Sequence, residues 1–197
     1  MLKRVFDVFC SLMGLILLLP FFVVVSAMII SNSKGSAFYR QYRVGRGGLD
    51  FTLLKFRTMY IDADKVGLLT VGSRDGRITG IGYWLRKYKI DEIPQLINVL
   101  IGEMSIVGPR PEVRKYVNLY NDEQAKVLNI KPGITDWASI RFSNENELLS
   151  QSANPERFYI ETVMPSKLKL NMEYVNHNNV IIDLRIVLLT ILKIIRH

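Results

Sequence analysis

The sequence predicts a mainly helical α+β protein: a single small cytoplasmic domain held on a membrane by an N-terminal re-entrant helix and by interfacial amphipathic helices. Three observations predict it. Residues 8–30 (VFCSLMGLILLLPFFVVVSAMII) contain no charged side chain, and as a straight helix they would extend about 35 Å, enough to cross a bilayer. Lys and Arg number 26 against 18 acids, a net charge of +8, in a chain that is 49% apolar. That pairing favours an anionic partner at a membrane surface over nucleic acid. Beyond residue 35, short charged stretches punctuated by glycine alternate with apolar residues at helical spacing, without repeats or a linker. At 197 residues the chain can bury one modest core. The expected division is a membrane-embedded segment over 1–34 and one domain over 35–197.

The first segment carries its own topological signals. Pro20 removes a backbone donor and favours a kink. Lys3 and Arg4 precede the apolar run, and Lys34, Arg40, Arg43 and Arg46 follow it. The positive-inside tendency would keep both flanks cytoplasmic. A helix broken near Pro20 that enters and leaves by the same leaflet satisfies both facts. A simple spanning helix is the main rival, because spanning helices tolerate proline. The run is longer than the core of a cleaved signal peptide. The single cysteine, Cys10, excludes an internal disulfide, and two histidines offer no zinc spacing.

In the domain, YRQYRVGRGGLDFTLLKFRTM (39–59) reads as extended segments around a Gly47-Gly48 turn. IGYWLRKYK (81–89) suits a short amphipathic helix with aromatic and basic side chains at an interface. In SIVGPRPE (105–112) two prolines stiffen the backbone around Arg110, fixing the direction of a guanidinium. Residues 112–129 read as helical, and 134–142 as a loop or strand carrying Trp137 and Arg141. Helices are expected over 144–151 and 154–174, with an interruption at Pro165. The tail, 180–196, is apolar with basic residues towards its end; it is a poor span and either packs on the domain or lies in the interface.

The stretch KIDEIPQLIN (89–98) sets Asp91 beside Glu92 ahead of an apolar run. An N-cap and a first-turn acid would explain the pair structurally. A chemical reading is equally open: an ionised carboxylate is a nucleophile, but a phosphate repels it unless cations screen the approach. Mg²⁺ takes one or two carboxylates and completes its shell with phosphate oxygens, so Asp91 and Glu92 could both serve it. Lys55, Arg57, Arg86 and Arg110 are the candidate cations.

Taken together and in order, KFRTM (55–59), LRKYKIDEIPQLINVLIGEMSIVGPRP (85–111) and KPGITDWA (131–138) resemble the monotopic phosphoglycosyl transferases, the bacterial sugar transferase family. The resemblance runs from Lys3-Arg4 to the tail. It implies transfer of a sugar-1-phosphate from a UDP-sugar to polyprenyl (undecaprenyl) phosphate with release of UMP. It implies Asp91 as a nucleophile that becomes a covalent phospho-sugar ester, Glu92 as the Mg²⁺ ligand, and a re-entrant N-terminal helix broken at Pro20. Lys55, Arg57, Arg86 and Arg110 match family positions and are carried over as substrate contacts. Arg141 is carried with them, although it stands two positions ahead of the arginine in the family's Asn-Gly-Arg. Leu19 precedes Pro20 where some members have a small polar residue. Tyr174 and Asp183 match a family pattern, and Asn179 stands where serine is common. The implied setting is the cytoplasmic face of the bacterial inner membrane, with the lipid bilayer, a UDP-sugar and polyprenyl phosphate as partners, no nucleic acid, and room for a homodimer. The alternative is a non-enzymatic basic adaptor on anionic lipids, which leaves the acid pair and the Pro-Arg-Pro turn unexplained.

Overall fold

The protein is described by a computed structural model over residues 2–67, 69–72 and 75–195. It is 61% helical with two small sheets. The first element, α1 (Leu2–Asn32), is one long helix, and among the described residues it is the helix long and apolar enough to cross a membrane. It does not stand free. Asp7, Ser11, Val25 and Ile29 are buried on the side facing the domain, and a Cβ placed on Gly14 would lie 3.1 Å from Leu96. These positions recur every three or four residues, so one stripe of α1 packs on protein. Leu2, Val5, Phe9, Ile16, Leu17, Val23 and Val24 are exposed on its other faces.

Both ends of α1 are fastened to the same body. At the start, Lys3 Nζ donates to Asp183 at 2.6 Å and to the Val107 carbonyl at 3.0 Å. Arg4 donates to the Val99 and Leu100 carbonyls at 2.6 and 2.9 Å. Asp7 accepts from the Ser105 hydroxyl and from the Ile106 N–H at 3.0 Å. At the far end, the Arg57 guanidinium donates to the carbonyls of Ser33, Lys34, Gly35 and Ser36. It thereby satisfies carbonyls at the helix exit that have no intrahelical partner.

The expected break at Pro20 is not seen as a division of the element: α1 continues as a single helix through the proline. Proline removes one backbone donor, and the turns on either side carry the ladder on.

After α1 the chain forms a hairpin of β1 (Phe38–Val44) and β2 (Asp50–Phe56), paired antiparallel from Phe38–Phe56 to Val44–Asp50. Its turn needs glycine, since Gly47 and Gly48 have φ of 69° and 75°. Phe56 closes against α1, its ring 5.1 Å from that of Phe22. The short helix expected near residue 81 is α2 (Gly80–Lys87), with Thr79 capping its N-terminus by accepting from the Gly82 N–H. Trp84 is exposed, and its ring stacks on Tyr88 at 6.2 Å. Next come α3 (Gln95–Ile101) and the parallel pair β3 (Ser105–Val107) and β4 (Gly133–Thr135). Gly108 and Gly133 let the backbones after β3 and at β4 cross closely; a Cβ on Gly133 would sit 2.0 Å from the Gly108 nitrogen.

Residues 112–129, expected as a helix, are instead short turns: Arg114–Val117, Asp122–Ala125 and Lys126–Asn129. Asn121 restarts the chain with a reciprocal cap to Gln124. The loop-or-strand expectation for 134–142 resolves into β4 followed by α4 (Trp137–Arg141), which Asp136 caps. Then come α5 (Glu145–Ser150), a helical stretch over 155–163, and α6 (Met164–His177). Pro165 does not interrupt α6, because the preceding turn, Tyr159–Val163, is widened to π geometry. The last element, α7 (Val180–Ile195), matches the apolar tail as far as the structure describes it; Arg196 lies outside the described residues. The largest core cluster joins Tyr116, Val127, Leu149, Tyr159, Met164 and Leu168.

The Gly108–Gly133 crossing is a sharp test of this packing. Gly133→Ala should destabilise the protein by about 1–3 kcal/mol or more. A thermal shift in detergent should fall by several degrees, and an unchanged midpoint would refute the crossing.

Candidate active site

A cavity of about 920 Å³ opens into the domain, lined by both acids and by Lys55, Arg57, Arg86 and Arg110. The turn between α2 and α3 lies on its wall. Lys89 has a left-handed backbone, φ 56°, unusual for a residue with a side chain. This reversal takes the chain from α2 into the 3₁₀ turn Ile90–Glu92, which carries both acids. The capping explanation for the pair therefore fails. The N-cap of α3 is Pro94, without a side-chain cap, and neither acid serves the helix start.

The two neighbours are used in opposite ways. Glu92 is gripped: Lys55 Nζ donates to its Oε1 at 3.2 Å. Arg110 donates through both terminal nitrogens, to Oε2 at 3.0 Å and to Oε1. The Pro-Arg-Pro segment is itself held in place, since the Arg110 N–H donates to Asp136 at 3.1 Å. Lys55 is set opposite by Asn98 of α3, which bonds β2 at the Thr52 carbonyl and the Leu54 N–H at 2.8 and 3.0 Å. Asp91 has no such grip. Among the described residues its Oδ1, buried in a residue only 6% exposed, has no hydrogen-bond partner.

Electrostatics separates them further. Burial pushes the Asp91 carboxyl above its ordinary range, Lys55 opposes that, and the Glu92 charge reinforces it. Burial also works against the Glu92 charge, but Arg110 and Lys55 outweigh it and hold that carboxyl well below the usual range. Burial lowers Lys55, against the pull of Glu92. Arg110 is held more firmly protonated, chiefly by Glu92. One carboxylate is thus a fixed anion inside a bidentate clamp, and its neighbour is a desolvated oxygen with nothing bound to it.

The remaining expected contacts divide. Arg86 lines the cavity and donates to the Thr70 hydroxyl at 2.9 Å. Arg57 reaches the cavity wall, yet its guanidinium is occupied by the four carbonyls at the exit of α1, so its visible work is to hold that helix. Arg141 is exposed and outside the lining; Phe142, Ser143 and Asn144 face the cavity in its place. The two-residue offset from the Asn-Gly-Arg position puts its side chain on the outer side of the short α4. Tyr174 and Asp183 form a buried pair at 2.5 Å that receives Lys3.

Several cavity groups escaped the sequence reading. Glu112 accepts from Arg43 at 2.9 Å and from the Tyr159 hydroxyl, and burial opposes its charge less than Arg43 and Lys167 support it, leaving it below the ordinary range. Ser139 presents a buried hydroxyl without a partner on the same wall. Asp7, buried against β3 and outside the cavity lining, was legible in principle as a lone acid four residues after Lys3 at the start of a mostly apolar helix. Glu112 and Ser139 had no local signal, since their neighbours come from distant segments.

Among the described residues no group of three or more His, Cys, Asp or Glu side chains could hold a metal. A cation here would rest on the acid pair and a ligand's own oxygens, which is the usual habit of Mg²⁺.

A gripped carboxylate beside an unpaired one, ringed by cations, is an arrangement suited to an anionic ligand. The chain belongs to the bacterial sugar transferase family, whose model matches residues 1–197. It is 45% identical over 122 residues to a putative undecaprenyl-phosphate N-acetylgalactosaminyl 1-phosphate transferase of Bacillus subtilis, covering 62% of this chain and 68% of the relative. It is 36% identical to a second Bacillus subtilis protein, the uncharacterized sugar transferase EpsL, over 98% of this chain and 87% of that one. It is 32% identical to the UDP-glucose:undecaprenyl-phosphate glucose-1-phosphate transferase of Escherichia coli, over 98% of this chain but only 40% of that longer protein.

The split between the acids gives opposite stability effects. Asp91 has a raised folded pKa, so its ionisation disfavours the fold as pH rises through that value. Asp91→Asn should therefore raise the melting temperature at neutral pH, and the gain should vanish below the ordinary aspartate range. Glu92 has a depressed folded pKa, so its contribution is present above the ordinary glutamate range and lost as pH falls through the folded value. Glu92→Gln should cost about 3 kcal/mol at neutral pH, because Arg110 and Lys55 lose their counter-charge. Melting both variants from about pH 2.5 to 8 checks the signs and the predicted low-pH losses, and shifts in the same direction would contradict the split.

Proposed function

We propose that the protein transfers a sugar-1-phosphate from a UDP-sugar to polyprenyl (undecaprenyl) phosphate through a phospho-sugar ester on Asp91. The observation that carries this reading is the unpartnered, buried Oδ1 of Asp91 beside a Glu92 whose oxygens are both engaged. The Asp91 oxygen attacks the phosphorus bearing the sugar. The bond from that phosphorus to the bridging oxygen breaks, and UMP leaves with the electron pair. An oxygen of polyprenyl phosphate then attacks the same phosphorus. The bond to Asp91 breaks, the carboxylate returns, and the product is a polyprenyl diphosphate sugar.

Burial favours the attack because a desolvated carboxylate is a stronger nucleophile than a hydrated one. Arg110 and Lys55 keep the region cationic, and Arg86 stands on the same wall for the diphosphate. The acid pair fits Mg²⁺, with Asp91 offering a free oxygen and Glu92 one shared with its clamp; bound there with the diphosphate, the ion would neutralise charge on the phosphates.

The setting follows from α1 and α7. Their outward faces are apolar and exposed, at Leu17, Val23, Val24 and Ile30 on one and Leu184, Leu188 and Ile191 on the other. Both ends of α1 are tied to one domain, which supports a helix held on the domain's side of the bilayer, the cytoplasmic side by its basic flanks.

UMP release should be measured with the purified protein in nanodiscs, with Mg²⁺, polyprenyl phosphate and a panel of UDP-sugars. Release with one sugar, lost on adding EDTA and reduced at least about a thousand-fold in Asp91→Asn, is the expected result. Acid-quenched wild type should retain label from that sugar. Equal turnover by Asp91→Asn would reject the mechanism.

A further inference from the structure

The catalytic cavity does not end at polar walls. Leu18 of α1, Leu96 of α3, Ile140 of α4, and Thr190, Lys193 and Ile194 of α7 line it as well. The two helices bounding this side start together at the Lys3–Asp183 ion pair, 2.6 Å. Several turns later both reach the cavity that contains Asp91. Each also turns an exposed apolar face outward, so the helices lining this side of the cavity, taken here as its mouth, carry surfaces that suit lipid rather than water.

Lys193 is out of character here. It lies in the last turn of an apolar helix and is exposed, and among the described residues it makes no hydrogen bond or ion pair. Thr190, one turn earlier, meets Thr135 at 2.7 Å. The next residue, Asp136, holds the Arg110 N–H, so α7 rests on the segment that carries the catalytic clamp.

We infer that this mouth is the entry for the acceptor, a long-chain isoprenoid phosphate: Lys193 receives its phosphate, and Leu18, Leu96 and Ile194 hold the first isoprene units. This rests on the transfer reaction proposed above. Charge complementarity selects the occupant. A neutral diacyl lipid has no use for a lysine lining the cavity beside apolar side chains, whereas a chain with a terminal phosphate fits that pairing of cation and apolar wall. A UDP-sugar has no apolar chain to place there, so α7 should govern the acceptor and leave the donor alone.

Two reactions separate the steps. Exchange of labelled UMP into the UDP-sugar reports ester formation without acceptor, and full turnover adds polyprenyl phosphate. Lys193→Ala should raise KM for polyprenyl phosphate about five- to ten-fold, and Lys193→Arg should restore it. Leu18→Trp should obstruct the mouth and raise the same constant. Both should leave the exchange rate and the KM for UDP-sugar unchanged, which also shows that the variants are folded. Unaltered acceptor kinetics in both variants, or exchange falling in step with turnover, would overturn the assignment. Wild type that shows no exchange with any UDP-sugar would instead end the transfer reading, and the acceptor entry with it.

Discussion

The clamp on Glu92 is the interaction around which the site is arranged. A buried carboxylate survives ionised only with strong partners, and here they arrive from two directions, Lys55 on β2 and Arg110 after β3. Each partner needs its own support. Asn98 ties β2 to α3, and Asp136 ties the Pro-Arg-Pro segment to the start of α4. Glu92 therefore gathers the hairpin, the acid turn and the parallel pair at one point. With that anion neutralised by its clamp, Asp91 can remain unpaired beside it. The cost of desolvating Asp91 falls on stability, a common arrangement for a reactive group.

The same logic extends to the long N-terminal helix. Its domain-facing stripe starts polar, with Lys3, Asp7 and Ser11, and ends apolar, with Val25 and Ile29. Asp7 grips β3 at Ser105 and Ile106, five and four residues before Arg110. The helix anchorage on β3 and the arginine of the Glu92 clamp thus lie within one short segment of chain. Arg57, expected among substrate contacts, closes the other end of this arrangement by holding the carbonyls that follow α1.

Much of the fold was legible because its signals are local. The apolar run, the Gly47-Gly48 turn, the helix near Trp84 and the apolar tail each follow from a few adjacent residues. The long helix expected over 112–129 was misread because its apolar spacing comes from packing of separate turns, with Asn121 as a cap inside the run. The acids were found by position, but their separate roles were not readable. Whether a carboxylate is gripped or free depends on Lys55 and Arg110, tens of residues away in sequence. Arg57 and Arg141 show the converse: a matching or nearly matching residue type says little until the direction of its side chain is fixed. The one-face burial of α1 was hidden because nearly every side chain in the run is apolar, which erases the periodicity that marks a packed face.

That stripe makes α1 part of the enzyme's tertiary structure and not an interchangeable tether. A generic hydrophobic segment of equal length would lack the aspartate for β3, the lysine for Asp183 and the glycine that admits Leu96. Grafting a foreign anchor in its place would leave buried donors and an acid without partners beside the strand that sets Arg110. Helix and domain are therefore one structural unit, and the match to the longer Escherichia coli relative takes in both, 98% of this chain within 40% of that protein.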